Sequence, residues 1–183
     1  MRYTIRRLDA AAREDFFRLH SAANGHDWCF CVAWWVESFA GWGERRADQN
    51  RALRESLFAR GESDGYLLYA SEEPVAWCQC APRDRLAHLA GRYTEAPDPT
   101  AYALGCFFTA PAWRGKGCAR VLLTAVIADL RGRGVKRLEA FPRGEGRHPD
   151  DEVWTGPAGL FAEFGFVAEA EYGSVKRYAL ALT

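Results

Sequence analysis

The sequence has no excess of charge of either sign. Its 183 residues contain 24 Lys and Arg and 24 Asp and Glu, so the formal net charge at pH 7 is zero. A strongly basic chain attracts nucleic acid and anionic membrane surfaces through its overall field, and this composition excludes such a field. We therefore expect a small-molecule or peptide partner, no nucleic acid and no membrane, and any anion site must be built locally.

Long apolar runs are also lacking. The aromatic-rich stretch Trp28–Val36 carries no charge, but a membrane-spanning helix needs about 20 apolar residues. At the N-terminus, Arg2, Arg6 and Arg7 are followed by Asp9 before an apolar segment can form, so no secretory signal is predicted. A cytoplasmic location is therefore expected.

The six cysteines occur without the short length and secretory signal of a disulfide-stapled domain, so reduced thiols are expected. Cys29 and Cys31 form one Cys-x-Cys pair, and Cys78 and Cys80 form another. Structural zinc pairs are usually Cys-x2-4-Cys, whereas Cys-x-Cys on a strand only places both thiols on one face. We predict no metal site, with a zinc-stabilised interaction module as the alternative.

The order of apolar patterns predicts one α/β domain over residues 1–183. A strand, a crossover helix and a strand in succession favour parallel pairing, so Tyr102–Thr109 and Lys136–Phe141 should lie side by side within a mixed sheet. The other predicted strands are Tyr3–Leu8, Tyr66–Ala70, Val75–Ala81, Phe166–Ala170 and Val175–Leu182. Helices are predicted after Asp9 and over Asn50–Arg60, Gly117–Arg131 and Pro157–Phe164.

The segment Arg114-Gly115-Lys116-Gly117-Cys118-Ala119 lies where a predicted strand ends and a helix begins. The first N–H groups of a helix lack partners within it, and the helix dipole is positive at this end. With the glycines and two basic side chains, this arrangement favours a pyrophosphate. The spacing differs from the Walker P-loop and from the dinucleotide fingerprint. A tight turn with incidental basic residues is the alternative interpretation.

Two parts of the sequence resemble the GNAT superfamily of N-acetyltransferases. Arg114–Ala119 is similar to its Gln/Arg-x-x-Gly-x-Gly/Ala signature, and the preceding Thr109–Arg114 is similar to its Val-x-Pro-x-Tyr-Arg lead-in. Leu160–Phe166 resembles its Leu-Tyr-Glu-x-x-Gly-Phe element. The resemblance implies an N-acetyltransferase with acetyl-CoA as co-substrate. It also implies a mixed, mostly antiparallel sheet whose central parallel pair splays around the acyl-CoA site, with helices on both faces, and it leaves a homodimer open.

Carried over to this sequence, the resemblance implies two sets of contacts with acetyl-CoA. The backbone of Phe107, Phe108 and Thr109 would face the pantetheine arm, and an N–H near Phe107 or Phe108 would stabilise the oxyanion. The residues that would hold the pyrophosphate are Arg114, Gly115, Lys116, Gly117, Cys118 and Ala119.

Amide formation also needs a base for the amine. Glu139 is the predicted base, because strand alternation points it away from Leu138 and Ala140, beside the expected acetyl site. A charge on a solvated or structural face is the competing interpretation of Glu139. The loop residues that could reach the site instead are His26, His148, Asp150 and Asp151.

The departing thiolate needs a proton, and the usual donor is missing. Phe161 stands where the family commonly has a Tyr, and a phenyl ring cannot donate a proton. Water, or another hydroxyl such as that of Tyr172, would have to take this role. The departure leaves a second hypothesis open, a non-catalytic acetyl-CoA-binding or regulatory domain of the same fold.

The stretch Trp28–Trp35, followed by Phe39 and Trp42, has two interpretations. Trp and free Cys are frequent in protein cores, which favours simple packing. The alternative is a pocket wall for an aromatic or cationic amine, with cation–π attraction adding affinity. A subset of bacterial GNAT proteins resembles this region and the segment Trp77–Arg83, but that resemblance specifies no acceptor.

Overall fold

The protein is built on one mixed β-sheet, and the computed structural model describes residues 2–23, 29–90, 96–143, 153–172 and 175–182. The strands are β1 (Tyr3–Arg7), β2 (Tyr66–Ala70), β3 (Glu73–Pro82), β4 (Ala101–Thr109), β5 (Arg137–Ala140), β6 (Val167–Tyr172) and β7 (Val175–Ala181). The α-helices are α1 (Arg13–Ala23), α2 (Ala47–Ala59), α3 (Ala87–Ala90), α4 (Cys118–Gly132) and α5 (Ala158–Glu163). The spatial strand order is β1-β2-β3-β4-β5-β7-β6.

The only parallel neighbours among these strands are β4 and β5, and the other pairs are antiparallel. This confirms the pairing predicted from the strand–helix–strand order. The pairing runs from Ala101 opposite Arg137 to Leu104 opposite Ala140, whereas β4 continues to Thr109. The last part of β4 therefore has an edge that β5 does not cover.

Helices cover both faces of the sheet, as predicted. The apolar stripe of α4, which includes Leu122 and Val126, packs in one cluster with Cys78 and Cys80 of β3. Phe16 and neighbouring residues of α1 pack against Trp77 of the same strand from the opposite face. This alternation follows from the period of two along a strand.

Some predicted boundaries differ from the structure. Glu73 and Pro74 lie between the predicted strands Tyr66–Ala70 and Val75–Ala81, but in the structure they are the first residues of β3. The turn is shorter because Ser71 takes a left-handed conformation, with φ of 58°, which lets a two-residue connection reverse the chain. In the described residues, no helix is both long and apolar enough to cross a membrane.

Candidate functional site

A cleft of about 1490 Å³ opens beside the uncovered edge of β4. Three parts of the chain form its walls: the end of β4 with the turn into α4, the segment after α1, and the segment that leads into α5. The predicted cofactor-binding residues that line it are Phe107, Phe108, Thr109, Arg114, Gly115, Gly117, Cys118 and Ala119. Lys116 is not among the lining residues, and its ammonium nitrogen lies 5.0 Å from the centre of the Trp113 ring.

The N-terminus of α4 faces this cleft. Gly115 and Gly117 both have left-handed backbone conformations, with φ of 71° and 78°, which glycine adopts without steric cost. Gly117 is the N-cap residue, and among the described residues no side chain caps the helix and no acidic residue lies in its first turn. The initial N–H groups and the positive end of the dipole are thus available to an anion.

The edge of β4 makes one contact that the sequence did not predict. The backbone N–H of Phe107 donates a hydrogen bond of 2.6 Å to the carbonyl oxygen of Trp154. Trp154 belongs to the segment before α5 and also lines the cleft. One of the two predicted oxyanion donors, the N–H of Phe107, is therefore occupied by a backbone carbonyl in this structure.

Comparison of the sequence with models of known protein families shows which family the chain belongs to. Residues 15–154 match the model of the acetyltransferase (GNAT) family. The chain belongs to the GNAT acetyltransferase family. The resemblance to the GNAT superfamily is thereby confirmed, and with it the general activity, acetyl-CoA-dependent acetyl transfer. Comparison with curated protein sequences gives no match.

Solved structures show the same fold as this GNAT protein. The ribosomal-protein-S18-alanine N-acetyltransferase of Escherichia coli is 14% identical with a TM-score of 0.59, and the match covers 100% of this chain and 95% of that one. The PaiA N-acetyltransferase of Thermoplasma acidophilum, in complex with coenzyme A, is 14% identical with a TM-score of 0.58 over 99% of both chains. A GNAT family acetyltransferase of Brucella melitensis, in complex with acetyl-CoA, is 17% identical with a TM-score of 0.55 over 98% of this chain and 88% of that one.

Glu139, the predicted base of this GNAT protein, is not among the residues that line the cleft. Its side chain is fully buried, and its carboxylate lies 2.6 Å from Arg137 Nε, 3.5 Å from Arg83 Nη1 and 3.9 Å from Arg177 Nη1. On β5 it is paired with Ala103, on the part of β4 that precedes the uncovered edge. This position favours the structural interpretation, and a catalytic role for Glu139 stays an untested prediction.

Phe161 of this GNAT protein is also outside the cleft lining. The side chain is fully buried, and its ring packs edge-on against Phe107 and at a tilt against Phe166, with centroid distances of 6.1 and 5.3 Å. Two other residues lie at the cleft wall nearby: Arg120 of α4 and Glu163 of α5 form a two-pronged ion pair of 2.8 and 2.7 Å. The remaining candidates His26, His148, Asp150 and Asp151 fall outside the described residues, as does the side chain of Tyr172.

The aromatic stretch of this GNAT protein contains both core residues and residues that line the cleft, and the binding of an amine there stays a prediction. Trp34 is buried and packs against Phe141 and Trp154, with ring centroids 5.8 and 5.7 Å apart. Phe39 and Trp42, in contrast, line the cleft, and their rings lie 5.9 Å apart. Within this one segment, Trp34 thus packs in the core, whereas Phe39 and Trp42 form part of the cleft wall.

The contact between His20 and Cys31 was not predicted from the sequence. His20 of α1 is buried, its Nδ1 lies 2.8 Å from the Phe16 carbonyl oxygen, and its Nε2 lies 3.3 Å from Cys31 Sγ. Both Cys31 and Cys106 line the cleft. A hydrogen bond from the Cys106 thiol, together with the charges of His20 and Arg54, holds the pKa of Cys31 well below its usual range despite burial. His20 and Cys31 meet only through folding, so no local motif marks them.

The positions of the thiols in the structure do not fit the alternative of a zinc site. Cys78 and Cys80 pack beneath α4, whereas Cys31 packs in the cluster on the other face of the sheet. In the described part of the chain, no three metal-binding side chains converge. Cysteine pairs on opposite faces cannot share one tetrahedral ion.

Proposed function

We propose that this protein transfers an acetyl group from acetyl-CoA to a primary amine of a small molecule or peptide, by direct attack of the amine on the thioester. The single observation that carries the proposal is the cleft in which the part of the β4 edge that does not pair with β5 meets a helix N-terminus that no described side chain caps. The strand edge suits the amide groups of pantetheine, which add to it like another strand. The helix N-terminus suits the pyrophosphate.

The acceptor end of the cleft is aromatic. Phe39, Trp42 and Trp154 contribute to its walls, and Phe39 is 38% exposed. The guanidinium of Arg45 already lies 5.8 Å from the Trp42 ring, so this ring accepts a cation on its face. A primary amine approaching as its ammonium ion would be attracted in the same way, before it releases one proton to solvent and attacks as the neutral amine.

The proposal is tested by incubating the protein with acetyl-CoA and a panel of primary amines, including small diamines, amino acids and peptides with free N-termini. Release of coenzyme A is measured by chromatography, because the six thiols of the protein would react with thiol reagents. We expect release that depends on one class of amine, with an N-acetylated product of matching mass. Tight acetyl-CoA binding without any amine-dependent release would favour the non-catalytic domain instead.

Acetyl-CoA should stabilise the protein against heat. A ligand that binds only the native state at 100 times its Kd raises the free energy of unfolding by about 2.7 kcal/mol. For a chain of this length that corresponds to a rise in Tm of roughly 5–10 °C. Differential scanning calorimetry measures the shift, and coenzyme A and dephospho-coenzyme A serve as comparison ligands. An unchanged Tm at saturating acetyl-CoA, with no heat of binding, would contradict the cofactor assignment.

A further inference from the structure

The pair formed by His20 and Cys31 has the geometry of a thiol with an attached base. A carbonyl oxygen only accepts hydrogen bonds, so the 2.8 Å contact with the Phe16 carbonyl places a proton on His20 Nδ1. His20 Nε2 then faces the Cys31 sulfur at 3.3 Å, and one proton is shared between these two atoms. An activated catalytic thiol consists of the thiol itself, a base beside it and a group that orients the base.

The backbone around Cys31 is held in an unfavourable conformation. Phe30 and Cys31 are both left-handed, with φ of 43° and 46°, a region that costs energy for residues other than glycine. The buried guanidinium of Arg54 fixes this turn, donating to the Phe30 carbonyl at 3.1 Å and to the Cys31 carbonyl at 2.6 Å. The turn sets Cys31 at the cleft wall, with its sulfur next to His20.

The other thiols around Cys31 are poorly suited to carry charge. Burial raises the pKa of Cys29 to about 12, with a smaller contribution from Cys31 itself. Burial likewise raises the pKa of Cys106 and of Cys78 well above the usual range. The groups that act on Cys31 are thus the neutral thiols of Cys29 and Cys106, the ring of His20 and the cation of Arg54. A negative charge in this group is concentrated on Cys31.

The remaining ionisable residues at the cleft have other partners or positions. Arg120 and Glu163 neutralise each other. Arg114 and Cys118 lie by the N-terminus of α4, at the expected pyrophosphate end. Among the described residues that line the cleft, Cys31 is the thiol that faces a base, because His20 Nε2 lies 3.3 Å from its sulfur.

We propose that Cys31 relays the proton of the acetyl-transfer reaction. With the shared proton on His20 Nε2, the Cys31 thiolate accepts the proton that the attacking nitrogen loses as the N–C bond forms. The thiol then gives that proton to the coenzyme A sulfur as the C–S bond breaks. Cys31 returns to its starting state, and N-acetylated product and coenzyme A leave with atoms and charge balanced. This inference rests on the proposed transferase function.

The relay supplies the two proton steps that Glu139 and Phe161 leave open. Glu139 is enclosed by arginines away from the cleft, and Phe161 has no hydroxyl. A thiol is well matched to its second task, because donor and acceptor are both sulfur and the proton transfer is close to balanced. Cys31 also adjoins Cys106, the residue before the Phe107 backbone at the expected thioester position.

The first test measures the thiolate without any acceptor amine. Alkylation by iodoacetamide is followed by mass spectrometry between pH 5 and 9 in the wild type, Cys31→Ala, His20→Gln and the matched control Cys80→Ala, whose thiol lies in the core beneath α4. We expect one cysteine of the wild type to be alkylated fast at pH values below the ordinary pKa of a thiol. This fast reaction should be absent in Cys31→Ala, slower in His20→Gln and unchanged in Cys80→Ala. Acetyl-CoA should protect the cysteine from alkylation. A wild type in which Cys31 reacts only at the pH of an ordinary thiol would overturn the proposal.

The second test uses the amine that releases coenzyme A fastest in the panel. Cys31→Ala and Cys31→Ser should each lower kcat by about 10²-fold or more with unchanged acetyl-CoA affinity, whereas Cys80→Ala should keep the wild-type kcat. Equal kcat in wild type and Cys31→Ala would refute the relay and leave the transferase function standing. An acetyl group found on Cys31 after acetyl-CoA alone would also refute it, in favour of a covalent intermediate. A wild type that turns over no amine removes the transferase function itself.

Discussion

Gly117→Asp is expected to abolish acetyl-CoA binding. Gly117 is the N-cap of α4 at the wall of the cleft, and its φ is 78°. The substitution places a carboxylate beside the N–H groups that the pyrophosphate needs, and that carboxylate both repels the ligand and occupies its hydrogen-bond donors. Isothermal titration calorimetry of the folded variant should show affinity reduced by 10²-fold or more, because several charged hydrogen bonds are lost at once.

A matched control separates this effect from backbone strain. Gly134, which follows the C-terminal end of the same helix, has φ of 74°, and an added Cβ would meet no described atom within 4 Å at either glycine. Gly134→Asp therefore carries the same left-handed penalty of about 1–2 kcal/mol and the same charge, but lies away from the cleft. It should bind acetyl-CoA like the wild type. Wild-type affinity in Gly117→Asp would mean that the pyrophosphate lies elsewhere.

Glu139→Gln is expected to destabilise the protein strongly and to leave turnover per folded molecule unchanged. The carboxylate is fully buried and contacts Arg83, Arg137 and Arg177. Removing one charge from a buried ion pair typically costs about 3–5 kcal/mol, because the remaining charges lose their compensation. The Tm should fall by roughly 10 °C, measured by calorimetry alongside amine-dependent release of coenzyme A.

Glu171→Gln is the control for this substitution. Glu171 pairs with Lys176 at 3.3 Å, but the two side chains are 68% and 39% exposed, and such solvent-accessible pairs add little to stability. We expect no measurable change in Tm. If Glu139→Gln instead keeps the wild-type Tm and lowers kcat by about 10²-fold, with the loss shrinking at alkaline pH, then Glu139 is the base that strand alternation predicted.

The fold was predictable where local pattern and connectivity agree. The α4 stripe repeats at helical spacing and is bounded by Gly117 and Gly134, so its position follows from the sequence within one or two residues. The parallel pairing of β4 with β5 follows from a crossover long enough to hold that helix. The glycine-rich turn was predicted between a strand and a helix, and in the structure it precedes α4 and lines the cleft. Its role as the pyrophosphate site stays a prediction.

The chemistry of the site was less predictable, because it depends on which residues from distant parts of the chain pack against each face of the sheet. Alternation correctly set Glu139 opposite its neighbours Leu138 and Ala140, but it could not show that arginines from two other parts of the chain enclose that carboxylate. The approach of His20 to Cys31 requires α1 and the following segment to fold back together. Contacts between elements that are distant in the chain produce no periodic pattern of residues that a single sequence could show.

The hydrogen bond between Phe107 and Trp154 sets a competition inside the binding site. In the proposed complex, acetyl-CoA takes the Phe107 N–H that the Trp154 carbonyl holds at 2.6 Å in this structure. Only molecules in which this bond is open can accept the ligand there, so the apparent Kd equals the intrinsic Kd divided by the open fraction. Association at high ligand concentration should then approach a ceiling set by the rate at which the segment around Trp154 withdraws, rather than by diffusion.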